Sequence, residues 1–385
     1  MLNIDKQVDN VEAAVTVVEQ IGATYANFLP ADVPVQYLDP TGQLTDSPAR
    51  YPRSSEQRLI DMYRSMVLGR RFDEQATALT KQGRLAVYPS ARGQEACQVA
   101  AAMSLRPEDW LFPTYRDSMA LVTRGVDPLE ILSMLAGDWH CGYDPAHHRC
   151  APQCTPLATQ LLHAAGLAHA QARKGADAVV LALCGDGATS EGDFHEALNF
   201  AAVFDAPVIF LVQNNGFAIS VPLARQTAAP SLAHKGVGYG IGSEQVDGND
   251  PMAMLAVMDE ARNYVRQGNG PVIVEAHTYR VEGHTNADDP TRYRTNDEVA
   301  HWRTKDPIAR LETYLRFEGL IDDAHVSAIA AEAEDRAAVL RTGMNAERPT
   351  DPDDLFRYVF AEPSSQLRDQ QRQLHAELAA EAREG

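Results

Sequence analysis

The sequence predicts an α/β fold, a parallel β-sheet flanked by helices. Apolar runs of strand length stand at 178–184 (AVVLALC), 206–212 (APVIFLV) and 271–276 (PVIVEA). A helical pattern at 158–174 leads into the first, and helical patterns at 190–204 and 251–267 separate them. Runs that are apolar throughout, rather than alternating, mark strands buried on both faces, as in a parallel sheet with helices on each side.

The remaining elements follow in chain order. Residues 1–53 read as an extended N-terminal arm, punctuated by Pro30, Pro34, Pro40, Pro48 and Pro52, with one short helix at 10–20. From Ser54 the pattern turns helical: Leu59, Ile60, Met62, Tyr63, Met66 and Val67 recur at helical spacing. Further helices are expected at 72–83, 93–105, 116–124 and 127–136, then a polar loop rich in Cys and His at 137–155. After the third strand, 282–300 reads as a polar loop. Helices are expected at 306–317, 322–343 and 352–361, and a polar terminal helix at 365–383. The expected domains are the arm (1–53), one α/β domain with helical additions (54–361), and a helical C-terminal tail (362–385).

The chain has 385 residues, with 34 Lys+Arg against 53 Asp+Glu and a formal net charge of −19. That balance argues against nucleic acid or an anionic membrane as partner, because both select Lys/Arg stripes. Five cysteines, an odd and sparse count, read as reduced thiols in a cytoplasmic protein. The first fifteen residues lack the basic and apolar stretches of a secretory leader. No apolar run approaches the ~20 residues that span a bilayer.

The chemistry concentrates at two strand ends. The first strand runs into Gly185-Asp186-Gly187-Ala188-Thr189-Ser190-Glu191-Gly192-Asp193, and the second ends in Gln213-Asn214-Asn215-Gly216-Phe217. Ligands of open parallel sheets sit outside the carboxyl ends of the strands. Glycine admits a phosphate close to the backbone, and a following helix N-terminus favours an anion. Asp186 and the Asn215 amide oxygen are hard ligands suited to Mg²⁺ bridging a diphosphate. Three glycine-rich readings compete. A dinucleotide fingerprint lacks its third glycine, because Ser190 holds that place. A P-loop lacks its lysine, because Asp193 follows Gly192. The third is the thiamine diphosphate signature, GDG followed about 25 residues later by NN, and Gly187 to Asn214 fits it.

With these residues in view, GDGATSEGDFHEALNFAAVFDAPVIFLVQNNGFAIS resembles the alpha subunit of the thiamine diphosphate-dependent decarboxylase of 2-oxoacid dehydrogenase complexes. The resemblance spans about 54–361 and is nearest to bacterial branched-chain (2-oxoisovalerate) enzymes; pyruvate and acetoin dehydrogenases are the alternatives. It implies a thiamine diphosphate-binding fold and an oxidoreductase that decarboxylates a 2-oxoacid and passes the acyl group to a lipoyl domain. The implied partners are a beta subunit, in an α2β2 heterotetramer, and a lipoylated acyltransferase core. The beta subunit would supply the aminopyrimidine half of the site.

The resemblance also assigns residues. Asp186, Asn215 and the Phe217 backbone carbonyl would ligate Mg²⁺. Gly185, Gly187 and Ala188 would meet the diphosphate along the backbone, joined by Tyr115 and Arg116, whose guanidinium suits a phosphate. Thr155 and Leu157 would lie against the middle of the cofactor, Leu157 as an apolar prop. His284 matches the catalytic histidine of a mobile loop, where near-neutral acidity suits proton or hydrogen-bond donation. Thr285 stands where mitochondrial relatives carry a phosphorylated serine, so no equivalent switch is expected. Tyr88-Pro89-Ser90 and Phe112 are expected near an acyl pocket. His140, Cys141, His147, His148, Cys150 and Cys154 offer zinc-type ligands, but at spacings unlike a paired knuckle; a loop with free thiols is the favoured reading.

Overall fold

A computed structural model describes residues 30–46, 49–137, 141–346 and 351–384. The helix expected at 10–20, Pro48 and His140 lie outside these residues. Among the described residues, five strands form one wholly parallel sheet: β1 (Trp110–Phe112), β2 (Val180–Gly185), β3 (Val208–Asn214), β4 (Gly242–Asp247) and β5 (Val272–His277), in the order β1-β2-β3-β5-β4. The three apolar runs are β2, β3 and β5.

Alternation along these strands divides the core in two. Leu181, Leu183, Ile209, Leu211, Val272 and Val274 face one side, and pack with helices α1 (Glu56–Lys81), α2 (Glu95–Ser104), α3 (Ser118–Thr123), α4 (Pro128–Ala136) and α7 (Pro251–Arg266). Val180, Ala182, Val208, Phe210, Val212 and Ile273 face the other, against α5 (Thr159–Arg173) and α6 (Gly192–Val203). Burying each Val, Leu, Ile or Phe among these contributes about 1.5–3 kcal/mol, so the strand ends rest on the most constrained part of the molecule.

Two strands escape the sequence reading. β1 has three residues, too few for a pattern. β4 reads GSEQVD, which looks like loop, yet Ser243 and Glu244 are fully buried. The arm makes this possible. Val35 N–H donates to the Gln245 carbonyl (2.9 Å), Tyr51 Oη donates to Glu244 (2.5 Å), and Arg50 pairs with Glu244 at 2.9 Å. The arm also covers the start of α7, where the Tyr37 and Leu38 N–H groups donate to Asp250 (2.6 and 2.7 Å).

The helices expected at 54–67 and 72–83 are one continuous helix, α1. Ser55 caps it, with Glu56 in the first turn and Lys81 in the last, both favourable to the helix dipole. Gly69 does not break it, but admits Met119, whose Sδ would stand 3.2 Å from an added Cβ. The 282–300 segment is not all loop, since α8 (Asn296–Arg303) begins within it. Helices α9 (Pro307–Phe317) and α10 (Asp323–Asn345) follow, α10 packing along α1. The helix expected at 352–361 is one turn, Asp354–Arg357, and the exposed α11 (Ser365–Glu384) ends the described chain. No helix of the described residues is long and apolar enough to cross a membrane.

Candidate active site

The carboxyl ends of β2 and β3 open into a cavity of about 350 Å³. Tyr115, Arg116, Leu157, Gly185, Asp186, Gly187, Ala188, Asn215, Phe217 and His284 all line it. Thr155 does not; it lines an adjoining, mostly apolar cavity of about 270 Å³, shared with Val87, Pro89, Leu135 and Ile219. Tyr115, Leu157 and His284 border both.

The floor is built from buried polar groups. Chain leaving β2 tightens into a turn at Asp186–Ser190, where Thr189 Oγ1 donates to the Asp186 carbonyl (2.8 Å). Gly187 is required by close approach, since an added Cβ would stand 2.7 Å from Ala218 Cβ. Asp186 is 1% exposed, and its Oδ2 accepts from Gln226 Nε2 (2.6 Å). Burial raises its carboxyl above the ordinary range, opposed by the Gln226 hydrogen bond.

Beyond β3, Gly216 (φ 88°) turns the chain so that Phe217 presents its carbonyl beside Asn215. Asn215 Nδ2 donates to Gln94 Oε1 (2.8 Å), which leaves its Oδ1 facing inward. That oxygen stands 3.3 Å from Asp186 Oδ1 and 3.2 Å from the Phe217 carbonyl oxygen. Three oxygens thus converge: a carboxylate, an amide and a carbonyl. Adjacent oxygens around octahedral Mg²⁺, at ~2.0–2.1 Å from the ion, stand about 3 Å apart. The donor set and its spacing therefore fit a small hard cation. Among the described residues no trio of His, Cys, Asp or Glu side chains has metal-binding geometry, around Cys141, Cys150 and Cys154 or elsewhere.

Positive charge lines the wall. Arg116 is 6% exposed; Nη1 donates to the Ser90 carbonyl (2.8 Å) and Nη2 to the His284 carbonyl (2.9 Å). Ser90 is held in turn by Asp73, which accepts from Ser90 Oγ (2.6 Å), Tyr88 Oη (2.9 Å) and Ala91 N–H (2.8 Å). Tyr88 and Ser90 therefore face Asp73 rather than a cavity. Phe112 packs inside the sheet–helix core, so of the residues expected near an acyl pocket only Pro89 lines one. Arg280, which the sequence reading did not single out, is 1% exposed and donates to the carbonyls of Phe217 (3.3 Å) and Ile219 (2.6 Å) and to Tyr293 Oη (2.8 Å).

His284 sits at the rim. Its backbone N–H donates to Asp288 Oδ2 (2.6 Å), which also accepts from Tyr293 Oη. Arg116 Nη2 lies 3.1 Å from Nδ1. A guanidinium only donates, so Nδ1 carries the lone pair and Nε2 the proton. Burial, then the charges of Arg116 and Arg280, push the imidazole down to about 4. His284 is therefore neutral at pH 7, with an Nε2–H to donate.

Gln94 and Gln226 also shape the site, and nothing in their sequence neighbourhood announces it; Gln213 adjoins the Asn214-Asn215 pair, and Asp288 and Tyr293 follow His284 in its loop. Their roles depend on contacts across as many as 121 positions, as between Asn215 and Gln94.

Comparison with known proteins adds a separate line of observation. The sequence profile described as dehydrogenase E1 component matches residues 63–347. The chain is 48% identical over 347 residues to the 3-methyl-2-oxobutanoate dehydrogenase subunit alpha of Mycobacterium tuberculosis, covering 90% of this chain and 94% of that relative. It is 37% identical over 318 residues to the pyruvate dehydrogenase E1 component subunit alpha of Staphylococcus aureus, covering 82% and 86%.

Proposed function

This chain belongs to the dehydrogenase E1 component family, and from that premise we propose that it is the alpha subunit of a branched-chain 2-oxoacid dehydrogenase acting on 3-methyl-2-oxobutanoate. The family is thiamine diphosphate-dependent in general. The observation that carries the site assignment is the convergence of Asp186 Oδ1, Asn215 Oδ1 and the Phe217 carbonyl beside two buried arginines. Identity to the mycobacterial relative, higher than to the pyruvate enzymes, supports the branched-chain substrate.

Asp186, Asn215 and Phe217 would hold Mg²⁺, and Arg116, Tyr115 and the backbone from Gly185 to Ala188 would hold the diphosphate. When bound, thiamine diphosphate supplies the nucleophilic carbon and electron sink for decarboxylation. The chain's own residues anchor and orient. Arg116 and Arg280 offset the diphosphate's charge in a protein that is acidic overall. Leu157 borders both cavities and Thr155 only the smaller, apolar one, which suits a branched side chain. His284 offers its Nε2–H to oxygen on which negative charge develops. The completed enzyme includes a beta subunit, in an α2β2 assembly, and a lipoylated acyltransferase core as acyl acceptor. The five free cysteines suit a cytoplasmic setting. The division into arm (1–53), α/β domain (54–361) and tail (362–385) belongs to the same reading.

The test is co-expression with the beta partner and comparison of kcat/KM for 3-methyl-2-oxobutanoate and pyruvate. A preference of about tenfold or more for the branched acid is expected, since ~1–3 kcal/mol accompanies one or two methyl groups in an apolar pocket. Equal or better use of pyruvate would overturn the substrate assignment.

A further inference from the structure

Behind the oxygen trio lies a chain of four buried polar side chains. Asp117, Gln213, Gln94 and Asn215 are 0, 3, 1 and 6% exposed. Gln213 Nε2 donates to Asp117 Oδ1 (2.7 Å), Gln94 Nε2 to Gln213 Oε1 (3.1 Å), and Asn215 Nδ2 to Gln94 Oε1 (2.8 Å). Each link joins one N–H to one C=O, so the orientation of each amide dictates that of the next. Only the Asp117 end is fixed on its own. Its Oδ2 accepts from the Thr114 N–H and the Thr114 hydroxyl, both at 2.7 Å, and a carboxylate presents no N–H to Gln213.

The last amide has two orientations with opposite consequences. With nitrogen outward toward Gln94, its oxygen completes the trio with Asp186 and Phe217. Turned over, its nitrogen would donate to Asp186 Oδ1 at 3.3 Å and the Phe217 carbonyl at 3.2 Å, and a cation would meet N–H instead of oxygen. Locally, that turned orientation satisfies both acceptors. The relay opposes it, because the Asn215 oxygen would then face Gln94 Oε1 at 2.8 Å.

We propose that Asp117, Gln213 and Gln94 are positioning residues: a one-way amide relay, started by the Asp117 carboxylate, that holds Asn215 with its oxygen toward the cation. The relay rests on the Mg²⁺ reading of Asp186, Asn215 and Phe217. It preorganises a neutral ligand, the one member of the trio that can turn over to present N–H instead of oxygen.

The test is Mn²⁺ affinity, read by electron paramagnetic resonance on the complex with the beta partner at saturating thiamine diphosphate. In Asp117→Asn the new amide keeps its oxygen toward the Thr114 N–H and turns its nitrogen to Gln213. Every downstream amide then reverses, and Mn²⁺ binds about 10–100-fold more weakly. Asn215→Asp supplies a ligand with no wrong face, which accepts from the reversed Gln94. Asp117→Asn/Asn215→Asp is therefore expected to recover at least tenfold of the loss. Gln94→Met, which leaves the Thr114 turn untouched, serves if Asp117→Asn does not fold. It weakens Mn²⁺ in the Asn215 protein and not in the Asn215→Asp background. Affinities within twofold of wild type for Asp117→Asn or Gln94→Met, or equal weakening in both backgrounds, overturn the relay. Asp186→Ala separates the two levels: if it keeps wild-type Mn²⁺ affinity, the cation reading itself falls. If it abolishes binding while the relay variants do not, only the relay falls.

Discussion

The floor of the site and its rim are built on opposite principles. The floor, 185–190 and 213–217, continues two central strands, and its polar groups are fixed by short turns and buried partners. The rim, 282–294, is largely part-exposed, and side chains hold it: Asp288 on the His284 N–H, Tyr293 on Asp288, Arg280 on Tyr293, and Arg294 on the carbonyls of Val281 (2.7 Å) and Glu282 (2.9 Å). A cation needs oxygens at set spacing, which a rigid strand end provides. A proton or hydrogen-bond donor needs to approach and withdraw, which a loop pinned by a few contacts allows.

The largest expected effect breaks the floor. Asp186→Ala removes the one charged member of the proposed cation site, and thiamine diphosphate-dependent decarboxylation should fall about a thousandfold or more. The same change leaves the rim's contacts intact and relieves a buried carboxylate. The melting temperature without cofactor should therefore move by only about 3 °C. A large loss of stability with retained Mg²⁺ affinity would recast Asp186 as a structural residue.

The next effect falls on the rim. His284→Gln should lower kcat by about 10²–10⁴-fold while the affinities for Mg²⁺ and thiamine diphosphate stay near wild type, because no floor ligand is touched. Weaker cofactor binding, measured by fluorescence titration, would show that floor and rim are one unit.

The smallest effects concern how the rim is held. His284 titrates at about 4 in the fold against 6.5 ordinarily, so above pH 6.5 the neutral imidazole carries no penalty. As pH falls from 6.5 toward about 4, the opened loop takes a proton that the folded loop refuses, and stability of the closed loop is lost. Burial works against the Asp288 carboxylate, but hydrogen bonds from the His284 N–H and Tyr293 hold it below its ordinary 3.8, so its contribution disappears at still lower pH. Asp288→Asn should raise proteolysis of 282–294 about fivefold at pH 7, in keeping with ~1 kcal/mol for one such bond. Imidazole resonances of His284 titrating at 6.5 would contradict the Arg116 contact.

The same contrast explains what the sequence disclosed. Asp186, Gly187 and Asn215, which line one cavity, were singled out because the proposed cation–diphosphate floor would need particular residue types at a spacing set by one strand–helix–strand unit. β2, β3 and β5 were legible because strands buried on both faces must be apolar. β4 was not, because Glu244 is made tolerable by Arg50 and Tyr51, almost two hundred positions away. His284 came from family resemblance rather than pattern. Arg280 was hidden because a buried arginine has no local signature: its partners are carbonyls about sixty positions earlier and Tyr293 on the next turn of chain.

The most direct measurement is anomalous scattering from Mn²⁺ in crystals of the alpha–beta complex grown with thiamine diphosphate. One peak is expected, bonded to Asp186 Oδ1, Asn215 Oδ1 and the Phe217 carbonyl oxygen. A peak on other residues, or a full-occupancy cofactor with no metal among these three oxygens, would contradict it.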